Sequence, residues 1–122
     1  MDGQVLKTGE KKDEGKPRWE LLPLDALEEI ARVLTFGAKK YEARNWERGI
    51  AYGRVIGAAF RHLTKFWMAK LRGESAIDPE TNCHHLSEAA CEILFALAYE
   101  LRGMTQFDDR PSTVEIEIKA NS

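Results

Sequence analysis

Long apolar runs are scarce. The longest, Ile93 to Tyr99, falls far short of the roughly 20 residues that span a bilayer, and the charged N-terminal stretch has no apolar signal-peptide core. No membrane partner is expected. Cysteine is equally sparse: Cys83 and Cys91 are the two in the chain, too few for a disulfide framework or a four-cysteine zinc site, so a reducing cytoplasm is the expected setting. Charge of one sign is also missing. Eighteen Lys and Arg stand against twenty Asp and Glu, a net charge of -2, which argues against bulk attraction to a nucleic acid polymer or an anionic lipid surface. There is no glycine-rich phosphate loop, no G-x-S-x-G elbow and no suggestively spaced Ser/His/Asp set. Any phosphate recognition must be local and built from side chains.

What remains, 122 residues with 43% hydrophobic and 31% charged, suits one globular domain. Residues 1–15 hold Val5 and Leu6 as their sizeable apolar groups and read as a flexible arm. A helical domain over 16–111 follows, and 112–122 form a tail. Leu24, Leu27, Ala31, Leu34, Ala38 and Tyr41 recur at spacings of three and four, the stripe of a helix over 24–41. A second helix is predicted over about 52–71, with Ile56, Ala59, Leu63, Phe66 and Trp67 facing the core. A third should run from Pro79 or Asn82 to Arg102, with Asp78 as its N-cap. Its apolar residues Leu86, Ala90, Ile93, Leu94, Leu97, Ala98 and Leu101 cover more than half its circumference, making it the most buried element. The alternation Thr113 to Lys119 is a strand signal, and a lone strand must pair, with Val5 and Leu6 or with another subunit. The fold class is therefore all-α, a bundle of three long helices with a short C-terminal β-strand.

Chemistry concentrates on the third helix. His85, Glu88 and Glu92, at i, i+3 and i+7, stack on one face. If that face is buried, its carboxylates need cations, either basic side chains or a hard divalent ion; otherwise it is a solvated edge. Asp25 and Glu28 lie opposite the first helix's apolar stripe and could meet other carboxylates across a helix pair or a subunit interface, or act as ordinary first-turn and i, i+4 surface charges. Glu74, Asp78 and Glu80 crowd the loop before the third helix. Cys83, His84, His85 and Cys91 match no standard zinc spacing. Arg54, Arg61 and Lys65 form one basic line on the second helix, suited to phosphates or to solvent. His62 shares a row with Val55, Ala59 and Phe66, the place of a core histidine. Lys16, Arg18 and Trp19, with Lys39, Lys40, Tyr41, Asn45 and Trp46, mix cations, rings and an amide as a nucleotide requires.

These motifs are also familiar in combination. The string DEGKPRWELLPLDALEEIARVLTFGAKKYEARNW, then AAFRHL, then GES through DPET to HHLSEAA, resembles the dATP/dGTP diphosphohydrolase N-terminal domain family, common in phage genomes. The resemblance covers about Asp13 to Pro111, through Gly15, Lys16, Pro17, Glu28, Lys40, Tyr41, Asn45, Trp46, Arg61, His62, Asp78, Glu80 and His85. It implies a MazG-like all-α enzyme that cleaves a deoxynucleoside triphosphate to its monophosphate and pyrophosphate, using Mg²⁺ or Mn²⁺, as a homodimer or homotetramer, in the host cytoplasm if phage-encoded. The paired E-x-x-E and E-x-x-D signature of MazG enzymes is absent in that form, so its ligands do not transfer.

On this reading Glu28, Asp78, Glu80, His85, Glu88 and Glu92 form the pool of metal ligands, and Glu28, His62 and Glu88 are the expected catalytic residues. Lys16, Arg18, Lys40, Arg54 and Arg61 are expected to bind phosphate, and Tyr41, Asn45 and Trp46 the base or sugar. The rival expectation is a non-enzymatic protein that sequesters a nucleotide-derived signal with the same cations and rings.

Overall fold

A computed structural model describes residues 7–112 and 120. The C-terminal strand predicted at Thr113–Lys119, and its pairing with Val5 and Leu6, lie outside the described residues. Three helices dominate: α1 (Leu24–Lys40), α2 (Tyr52–Arg72) and α3 (His85–Leu101), with a two-stranded hairpin, β1 (Ile77–Asp78) and β2 (Cys83–His84), ahead of α3. The chain is an all-α bundle. The first two helices fall within one residue of the periodicity, and Gly37 is accommodated inside α1.

The start of the third helix differs. Asp78 does not cap it; Asp78 Oδ1 accepts from the Glu80 N–H at 2.9 Å, Asn82 N–H closes the turn on Asp78 O at 2.8 Å, and Asn82 sits at φ 59°. Asx chemistry and a left-handed asparagine thus make a tight antiparallel turn, pairing Ile77 with His84 and Asp78 with Cys83. The N-cap is His84, whose Nδ1 accepts from Leu86 N–H at 3.0 Å.

The faces also differ from expectation. Along α2 the inward row is Val55, Ala59, His62, Phe66 and Ala69, while Ile56, Leu63 and Trp67 point outward with Phe60 and Leu71. Helix α3 has the most buried residues, as its composition predicts, but these are His85, Ser87, Glu88, Ala89, Cys91 and Tyr99. Leu86, Ile93, Leu94, Leu97 and Leu101 are exposed in the single chain. On α1, Leu24 and Leu34 are exposed and no residue is fully buried, and Tyr41, just past its end, is exposed as well. The periodicity marks the apolar residues correctly but does not say that a second apolar face exists on the same helices.

At the far end of the α2–α3 pair an aromatic cluster replaces aliphatic packing. Tyr99 is 0% exposed and donates to Trp46 O at 2.6 Å. The Trp46 ring stacks on Phe95 at 4.9 Å, and the Arg102 guanidinium lies over it at 5.2 Å. Trp46 thereby ties the α1–α2 connection to α3.

Candidate metal centre

Where α2, the hairpin and α3 meet, the row that looked like a polar edge becomes interior. His62 comes from the inward row of α2, Asp78 from the hairpin, and His85 and Glu88 from the first turn of α3. One ligand atom from each lies within 4.8 Å of all the others. Asp78, His85 and Glu88 are buried, and the His62 side chain is 20% exposed. His62 Nδ1 and His85 Nδ1 share a hydrogen bond at 3.1 Å, and His62 Nε2 approaches Glu88 Oε2 at 3.2 Å. Thr81 Oγ1 donates to Glu88 Oε1 at 3.1 Å, so the turn of the hairpin fixes the rotation of a carboxylate on the neighbouring helix.

The electrostatics follow from burial. Removal from water pushes the Glu88 carboxyl up to about 7, reinforced by its hydrogen bond with Asp78. Burial also acts to raise Asp78, yet the Glu80 N–H and the Glu88 hydrogen bond outweigh it and hold Asp78 below the usual carboxylate range. Both imidazoles are lowered, His62 by burial and then by His85, and His85 by burial against the opposing pull of Asp78. Near neutral pH the cluster therefore offers two neutral imidazoles, an ionised Asp78 and a Glu88 carboxyl that titrates in that range. Such a set favours a divalent cation, which satisfies all four lone-pair donors at once.

Basic side chains flank these donors. Lys65 lies close enough to act electrostatically on His62, His85 and Glu88, and Arg61 on His62. The Arg61 guanidinium folds back over Gly57, where a Cβ would sit 3.3 Å from it. One turn beyond Glu88, half-buried Glu92 is pushed up to about 7 by burial, with Arg61 pulling in the opposite direction. Glu80 lies on the exposed rim, paired with Lys40 Nζ at 3.3 Å; Lys40 also sits over the Tyr41 ring at 5.4 Å.

The sequence-selected residues thus separate into groups. The fold brings His62, Asp78, His85 and Glu88 together, with Arg61 and Glu92 beside them and Lys40, Tyr41 and Glu80 linked to each other at the rim. Glu28 is exposed on α1, opposite the Ala26, Glu29 and Ile30 side that faces α3, and is outside the four-residue group in this chain. Lys16 and Arg54 are exposed, and Arg18 pairs with Glu20 at 2.7 Å. Asn45 opens the short turn whose Trp46 is engaged by Phe95, Tyr99 and Arg102. Lys65, which the sequence places on the basic line with Arg54 and Arg61, is beside the cluster with Arg61. Thr81 was not singled out and gave no signal, because its role depends on the hairpin turn.

Comparison with known proteins adds a family to this geometry. The profile described as dATP/dGTP diphosphohydrolase, N-terminal, matches residues 6–110. A protein named dATP/dGTP diphosphohydrolase from Salmonella phage PMBT28 is 35% identical over 103 residues, 84% of this chain and 33% of the relative. The chain thus spans about a third of that relative's length. No solved structure matches it. Matched over most of its length, with the buried His and carboxylate residues inside the matched span, the chain belongs to the dATP/dGTP diphosphohydrolase N-terminal family.

Proposed function

We propose that this chain is a metal-dependent pyrophosphohydrolase domain that converts a purine deoxynucleoside triphosphate, dGTP or dATP, to its monophosphate and pyrophosphate. The observation that carries the reading is the convergence of His62, Asp78, His85 and Glu88 within 4.8 Å in a largely buried setting, in a chain similar to a phage protein whose name states this chemistry. The donor set fits a divalent ion, Mg²⁺ or Mn²⁺, which when bound neutralises triphosphate charge and makes water a better nucleophile.

The chain's own residues account for the rest. Thr81 holds the Glu88 carboxyl in place for the ion. Arg61 and Lys65 supply cationic donors to phosphate oxygens on the open side of α2, and Lys40 adds one from the rim once it exchanges Glu80 for a phosphate. Water attacks the α-phosphorus, the bond from that phosphorus to the oxygen bridging to the β-phosphate breaks, and pyrophosphate departs with the bonding pair. The proton released by water passes to Glu92, whose carboxyl titrates near neutral pH. Lys16, Arg18, Tyr41, Asn45 and Arg54 are assigned to the outer nucleotide contacts, and Glu28 to the same environment when contributed across subunits.

A homodimer or homotetramer accompanies this reading. Ile56, Phe60, Leu63, Trp67 and Leu71 form a continuous exposed stripe on α2, and Ile93, Leu97 and Leu101 another on α3. A second copy covering both stripes would complete a larger bundle. Among the described residues no helix is long and apolar enough to cross a membrane, and a cytoplasmic setting is proposed.

The test is incubation of the full chain with each deoxynucleoside triphosphate and Mn²⁺, followed by chromatography of the products. Equal amounts of monophosphate and pyrophosphate from dGTP or dATP are expected. Intact nucleotide despite tight binding would replace this reading with the sequestering one.

A further inference from the structure

Resting on that reading, we propose that Tyr41 is the platform on which the nucleobase stacks, and that Trp46, the larger ring five residues later, is not. Three observations carry this. The first is which ring is free. Trp46 stacks on Phe95 at 4.9 Å, lies under the Arg102 guanidinium at 5.2 Å, and has its carbonyl taken by the Tyr99 hydroxyl. That ring is committed to packing on α3. Tyr41 is 65% exposed, and among the described residues no second ring lies against it.

The second is support. Tyr41 ends α1, where its N–H donates to Gly37 O at 2.9 Å, so the backbone is held while the side chain stays open to a partner. The third is the tie to the metal centre. Lys40 Nζ lies over the Tyr41 ring at 5.4 Å and pairs with Glu80 Oε1 at 3.3 Å, and the Glu80 N–H donates to Asp78 Oδ1 at 2.9 Å. Metal donors, a cation and a flat ring thus follow one another outward, the order in which a nucleotide presents phosphates and base. The Lys40–Glu80 pair is exposed and therefore weak, so a phosphate displaces Glu80 from it readily. Other exposed rings lack this tie: Trp19 neighbours Arg18, which turns to Glu20, and Phe60 and Trp67 lie on the apolar stripe of α2. A purine covers more of a phenol ring than a pyrimidine does, so stacking on Tyr41 favours dGTP and dATP.

The experiment is calorimetric titration of the full chain, with Mn²⁺ present, using non-cleavable α,β-methylene analogues of dGTP and dCTP and, separately, inorganic tripolyphosphate, which has no base. Tyr41→Leu is expected to weaken the dGTP analogue about tenfold, the dCTP analogue less, and tripolyphosphate by under about twofold. Tyr41→Phe keeps the ring and should bind all three as the wild type does. Circular dichroism reports the helices, and Tyr41→Ser, titrated the same way, is the second variant should Tyr41→Leu not fold. Equal weakening of the dGTP analogue and tripolyphosphate, undiminished binding of the dGTP analogue, or a Tyr41→Phe variant as weak as Tyr41→Leu would each overturn the proposal. Selective loss of the dGTP analogue in a chain that does not cleave dGTP would leave it standing and remove the catalytic reading; cleavage by the wild type, with a Tyr41→Leu variant that binds the analogue normally, would do the reverse.

Discussion

Replacing Glu88 with Gln keeps its shape and its hydrogen bond from Thr81 but removes one of the two carboxylates in the cluster. Turnover of dGTP or dATP by Glu88→Gln is expected to fall by about 100-fold, with the thermal midpoint of the metal-free protein unchanged or raised, because burying a neutral amide costs less than burying a charge. A rate assay paired with a melting curve checks both. Thr81→Val leaves every donor in place and releases the carboxylate's rotation; Mn²⁺ affinity should drop by about 10- to 100-fold, measured by titration. Glu92 gives the pH test. Its carboxyl, pushed up from 4.5 to about 7, keeps its proton in the folded chain where the unfolded chain has lost it. That stabilisation is fully present below about pH 4.5 and is lost as pH rises through about 7. In urea unfolding of the metal-free protein, Glu92→Gln should therefore show a shallower decline of midpoint across that window. At this scale the sequence was informative but ambiguous: the i, i+3, i+7 row showed that His85, Glu88 and Glu92 share a face, and could not show whether water or protein covers it.

Among the elements, helix existence was legible because three stretches repeat apolar residues at helical spacing, and α2 and α3 end where Gly73 and Gly103 turn the chain at positive φ. Helix orientation was not. On α2 both the His62 row and the Trp67 row are apolar enough to face a core, and only packing against α3 decides between them. The short hairpin was misread as a cap because Asp-Pro serves helix starts and Asx turns alike. Besides the Trp46–Phe95 stack, a hydrogen bond fastens the α1–α2 connection to α3: the Tyr99 hydroxyl on the Trp46 carbonyl. Tyr99→Phe, which leaves that carbonyl without its buried donor, should destabilise the fold by about 1–2 kcal/mol, read from denaturant midpoints.

For the whole molecule, the exposed stripes on α2 and α3 set the expectation that copies associate. Trp67, 60% exposed, and Leu97, 50% exposed, are larger apolar groups than an isolated chain needs on its surface. Sedimentation of Trp67→Glu with Leu97→Glu should show a smaller species than the wild type, while each chain retains its helical signal. Composition could not reveal this, since a residue buried against its own chain and one buried against a copy look alike in sequence. The central claim concerns the interior: that His62, Asp78, His85 and Glu88 jointly ligate an ion. An anomalous difference map from crystals grown with Mn²⁺ tests it most directly. A peak within bonding distance of all four side chains is the predicted result; a well-occupied Mn²⁺ elsewhere, with none bound by these four residues, would contradict it.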